Sequence, residues 1–67
     1  MKWFSVNKYR PVHTGDQVIF LLKGGYIHAG VYDYQKDNGY FFESHEGGQF
    51  MMNEITHFCI PDPIEIE

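Results

Sequence analysis

Gln17-Val18-Ile19-Phe20-Leu21-Leu22-Lys23-Gly24-Gly25-Tyr26-Ile27-His28-Ala29-Gly30-Val31-Tyr32-Asp33-Tyr34 decides the fold. Its first part, 17–23, is β-branched and aromatic and too short for a typical helix, so it reads as a strand. Gly24-Gly25 between two apolar runs is a two-residue hairpin signal, because glycine takes positive φ twice without strain. The return strand, 26–34, would be about 30 Å long if straight, too long for a small core. Gly30 sits in its middle, where an interior glycine marks a bend or bulge. Alternation then splits this strand into two faces. Ile27, Ala29 and Val31 read as the core face. Tyr26, His28, Tyr32 and Tyr34 fall on the opposite, outward face.

Working outward, Asn38-Gly39 closes a polar loop and Tyr40–Ser44 reads as the next strand. His45-Glu46-Gly47-Gly48 turns the chain into a strand over 49–53. Residues 53–56 fit a single helical turn, and His57–Ile60 a last short strand ended by Pro61 and Pro63. Ahead of the hairpin, residues 1–10 read as a short strand or an irregular arm, and Thr14-Gly15-Asp16 as a turn. The pattern predicts an all-β domain with no substantial helix. It is a small five-stranded antiparallel meander that closes into a Src-homology-3-like barrel, since two packed sheets need more chain. That fold analogy carries no function. Phe20, Phe41, Phe50, Phe58 and Trp3 are the expected core. One domain spans 1–61, and 62–67 is an acidic tail expected to be mobile.

The 67 residues include twelve aromatics, six Phe, five Tyr and one Trp, which disordered chains lack. Net charge is −4, from five Lys plus Arg and nine Asp plus Glu. Three of those acids, Asp62, Glu65 and Glu67, lie in the tail, which leaves a net of −1 over 1–61. No dense cluster of Lys and Arg is present, which argues against general nucleic-acid binding. The single cysteine, Cys59, excludes an internal disulfide. No apolar run is long enough to span a membrane, and the N-terminus lacks a signal-peptide core. A reducing, cytoplasmic compartment is the expectation.

Three tyrosines and a histidine on one outward face offer large contact area at low entropic cost. Tyr26, His28, Tyr32, Tyr34 and the neighbouring Tyr40 are therefore the candidate binding residues. Such a face suits a dimer seam, a partner protein or the stacking of bases. His57 and Cys59 share one strand face at a spacing that suits a metal or a nucleophile pair, yet zinc needs four ligands. His28 with Asp33, and His45 with Glu43, are generic acid–base pairs that no motif singles out. No catalytic residue, metal site or cofactor is assigned.

Trp3…Val6…Pro11, Gly15-Asp16-Gln17-Val18, Gly30-Val31-Tyr32 and Thr56-His57-Phe58-Cys59-Ile60-Pro61-Asp62-Pro63 together span nearly the whole chain. In these positions the chain resembles a small domain-of-unknown-function family common in phages and prophages. That family opens with Trp-x-x-Val and a proline, and closes with Thr-His-Trp and a Pro-x-Pro. Here Phe58 stands in place of the tryptophan and the closing prolines are spaced differently. The resemblance implies phage or mobile-element origin and a role for His57 and Phe58 in locking the last strand. The expected function is a non-enzymatic binding module acting on a host protein in the host cytoplasm, in counter-defence or transcription. The alternative is a homo-oligomer that sequesters a nucleotide signal, with Lys23, Lys36 or Arg10 holding phosphate and the partner copy completing a pocket.

Overall fold

The computed structural model describes residues 2–61. The acidic tail, 62–67, lies outside the described residues. Six strands form one antiparallel sheet: β1 (Phe4–Ser5), β2 (Gln17–Leu22), β3 (Ile27–Gln35), β4 (Gly39–Ser44), β5 (Gln49–Met51) and β6 (Ile55–Cys59). A 3-10 turn over Met52–Glu54 joins β5 to β6. The strand order is β1-β6-β2-β3-β4-β5. The first segment is thus a strand, and it adds a sixth member by pairing Phe4 with Phe58 and Ser5 with His57. The helical turn sits one residue earlier than expected, and its Glu54 carboxylate accepts from the Met51 N–H at 2.8 Å.

The sheet curls tightly, although the ladder stays open between β1 and β5 among the described residues. Phe42 on β4 and Phe58 on β6 are three strand spacings apart, about 14 Å in a flat sheet. Their ring centroids lie 5.9 Å apart. Phe20 on β2 and Phe50 on β5 are equally separated in the order and meet at 5.7 Å. Only curvature toward one face brings such rings together. That inner face carries the main core: Val6, Val18, Phe20, Tyr32, Phe42, Ile55 and Phe58, with Phe4, Leu22, Phe50 and Met52 packed against it. Each fully buried Phe contributes about 1.5–3 kcal/mol. Phe41 and Cys59 are also buried, but lie outside this cluster.

Gly30 makes the curl possible. The first half of β3 pairs with β2, and the second half with β4, the two ladders overlapping at Gly30–Val31. A Cβ at Gly30 would overlap the Glu43 carbonyl oxygen, so only glycine lets β4 come this close.

The faces of β3 are the reverse of the expectation. Phe20 pairs directly with His28, and Ile19 with Ala29. Cross-strand partners share a face, so His28 and Tyr32 point inward while Ile27, Ala29 and Val31 point outward. Tyr32 is only 3% exposed, whereas Ile27 is 62% exposed. The cause is the hairpin. Leu22 N–H donates to the Tyr26 carbonyl at 2.8 Å, which leaves a three-residue loop, Lys23-Gly24-Gly25. A two-residue Gly24-Gly25 turn would pair Lys23 with Tyr26 and set Ala29 opposite Phe20. The extra loop residue slips the register by one and turns every side chain of β3 over. Only Gly25 has positive φ, +90°, as a three-residue loop ending in a left-handed residue requires.

Trp3 is a second correction. It is 41% exposed, and Val6 takes the buried place near the N-terminus. Val6 is fixed there because its N–H donates to the Thr56 carbonyl at 3.1 Å. Among the described residues no helix is long and apolar enough to cross a membrane.

Candidate functional site

The inner face runs past the end of the phenylalanine core along the last half of β3 and the start of β4. Tyr34 pairs across the strands with Tyr40, and Tyr32 with Phe42. All four side chains therefore share this face. Tyr32 lies edge-on to Phe42 at 5.5 Å and stacks nearly parallel on Tyr40 at 5.3 Å, with 4° between the planes. Tyr40 in turn meets Tyr34 at 4.8 Å. The series passes from buried to exposed: Tyr34 and Tyr40 are each 50% exposed.

Of the five residues expected to form a binding face, the structure brings together Tyr32, Tyr34 and Tyr40. It separates the other two. His28 is half-buried at the opposite end of β3, where it stacks on Phe20 at 5.8 Å and lies 5.2 Å from Phe50. Its Nδ1 is within hydrogen-bond reach of the Ser44 hydroxyl at 3.1 Å. Tyr26 stands at the β2–β3 hairpin, 70% exposed, and joins none of the ring pairs. Tyr32 is the inner wall of the site rather than part of its surface.

The opposite wall is the segment between β1 and β2, which the sequence predicts only as an arm and a turn at Thr14-Gly15-Asp16. Residues 10–14, with Tyr32 and Tyr40, line a groove of about 800 Å³. Backbone bonds dock this segment on β3. Gly15 N–H donates to the Tyr32 carbonyl at 2.6 Å, and Tyr32 N–H donates to the Asp16 carbonyl at 3.0 Å. The turn is held further by Asp16, whose carboxylate accepts from the His13 N–H at 3.2 Å. Pro11 is buried and fixes the path of the strap. On its other side, Phe4, Tyr9, Phe58 and Ile60 contribute to a second groove of about 520 Å³. The available signal was Tyr9-Arg10-Pro11-Val12-His13 itself, aromatic and basic residues on a loop beside a rigid scaffold. A single chain thus builds a sizeable groove.

Burial pushes the Tyr32 phenol above its usual range; the neighbouring Tyr40 adds to this, and the positive charge of Arg10 draws it partly back. Arg10 donates from Nη1 to the Tyr9 carbonyl at 3.0 Å and makes no ion pair among the described residues. Among the described residues the groove lining contains no carboxylate.

The acid–base pairs considered from sequence do not form. Asp33 and His28 lie on opposite faces of β3, and the Asp33 carboxylate accepts from the Tyr34 N–H at 2.8 Å. His45 Nε2 lies 3.2 Å from the Gln17 side-chain oxygen. Burial pushes the Cys59 thiol up, which disfavours the thiolate that a nucleophile or metal ligand needs. Among the described residues no three His, Cys, Asp or Glu side chains gather as a metal site would require. The chain matches no model of a known protein family, no curated protein and no solved structure.

Proposed function

We propose that the chain is a non-enzymatic binding module of phage or prophage origin. Its tyrosine tier contacts a host protein in the host cytoplasm, in the service of counter-defence. The observation that carries this reading is the half-exposed Tyr34–Tyr40 pair, continuous with a groove at the open end of the core. Tyrosine contributes large contact area with little rotamer entropy to lose, and here the rings are already fixed by stacking on buried Tyr32. The near-neutral body, net −1 over residues 1–61, suits a protein partner better than a nucleic-acid backbone. Phage origin rests on the motifs from Trp3 to Pro63.

The test is a Tyr34→Ser/Tyr40→Ser double variant, compared with wild type in affinity capture from host lysate. Both side chains are half-exposed, so the core is left intact. One host protein is expected to be retained by wild type and lost by about tenfold or more from the variant, as for an interface hot spot. Equal recovery by a folded variant would remove the tyrosine tier from the contact.

A further inference from the structure

The wall of the groove carries a polar group that is not engaged within the protein. Tyr32 is 3% exposed, and its hydroxyl makes no hydrogen bond among the described residues. Among the described residues no side-chain oxygen or nitrogen that is sealed from solvent lacks a partner. The hydroxyl therefore keeps some residual exposure, and Tyr32 lines the groove. Facing it across the groove is the strap that carries Arg10 and His13. Arg10 commits one N–H to the Tyr9 carbonyl, which leaves the rest of its five-donor fork for a ligand. An O–H donor, a guanidinium and an imidazole on one groove suit an anion, and the nearby Asp16 carboxylate is engaged by the His13 N–H. Immediately outside it, the half-exposed Tyr40 and Tyr34 rings offer a stacking surface.

We propose that this groove binds a nucleoside phosphate, with the phosphate between Arg10 and the Tyr32 hydroxyl and the base on the Tyr40 ring. Of anions, a nucleotide is the one that uses both halves of the site. A free phosphate would leave the tyrosine tier idle, and an acidic side chain carries no flat ring to stack. The volume, about 800 Å³, leaves ample room for a mononucleotide. The site shares the Tyr40 ring with the proposed protein contact but does not rest on that contact.

Isothermal titration calorimetry with AMP, GMP, CMP and UMP tests it, with adenosine and inorganic phosphate as separate arms. Stacking tolerates every base, so all four are expected to bind saturably at one site per chain. Adenosine and phosphate alone are each expected to bind at least about tenfold more weakly, as each keeps half of the contacts. Arg10→Ala is expected to weaken AMP by about tenfold or more. Tyr32→Phe keeps the packed ring, so it is expected to weaken AMP by about fivefold with an unchanged melting temperature. Absence of saturable heat with all four nucleotides overturns the proposal. So does equal binding of adenosine and AMP, or full affinity in the Arg10→Ala variant. A chain that ignores nucleotides yet loses its host partner on Tyr34/Tyr40 substitution refutes this site and leaves the protein-contact reading standing.

Discussion

Gly30 is the residue on which the architecture turns. Its missing Cβ is the space that the Glu43 carbonyl occupies. An overlap with backbone cannot be relieved by a rotamer change, so β4 must shift away from β3. Gly30→Ala is expected to cost about 2–4 kcal/mol, more than ordinary overpacking, because two ladders meet there. In a domain of this size that is a fall in melting temperature of roughly 10–25 °C, measurable by circular dichroism. A loss below about 1 kcal/mol would show that β4 can yield. The position was legible from sequence as an interior glycine in an overlong strand. Tyr32 was legible as important but not as buried. Its ring packs on Phe42, and the residue also lines the groove.

At the scale of elements, the β2–β3 hairpin sets which side chains share the core. The Lys23-Gly24-Gly25 loop depends on one left-handed residue, Gly25 at φ +90°. A β-branched residue there is strained, so Gly25→Val is expected to cost about 1–3 kcal/mol. Gly24 is not at positive φ, and a Cβ there meets only the Tyr26 ring at 3.4 Å. Gly24→Ala is therefore expected to change stability by less than about 1 kcal/mol. Chemical denaturation of the pair distinguishes the two roles; equal costs would contradict the loop assignment. From sequence, Gly24-Gly25 announced a hairpin but not whether Lys23 belonged to strand or loop. That single residue decides the parity of the register, which is why the hairpin strands were legible and the faces of β3 were not. The strap over residues 10–14 was missed for another reason. It has no periodicity of its own and is shaped by backbone bonds between Tyr32 and Gly15 and Asp16, 17 and 16 positions away respectively.

For the whole molecule, the buried phenol of Tyr32 links stability to alkaline pH. The folded state holds this proton more tightly than the unfolded chain does, since burial raises the phenol above its usual value. Above pH of about 10 the unfolded chain releases the proton first, and stability falls as pH rises toward the folded-state value. The stability is fully present below that window. The buried Cys59 thiol, shifted in the same direction, adds to the fall. Denaturation midpoints measured from pH 8 to 11 are expected to drop in wild type and to drop less in Tyr32→Phe (the range brackets the usual phenol value). An identical slope in both would mean that Tyr32 titrates as an exposed tyrosine.

The sequence by itself determined an all-β chain with its main hairpin and a glycine at position 30 that the sheet requires. Those features are local: β-branched runs, glycine pairs and residue type act over a few positions. Tertiary structure alone decided the inward turn of His28 and Tyr32, the exposure of Trp3, and the meeting of Arg10 and His13 with Tyr32 and Tyr40. These depend on one residue of register and on a sheet that curls enough to bring strands three apart into contact, and no short window of sequence records either.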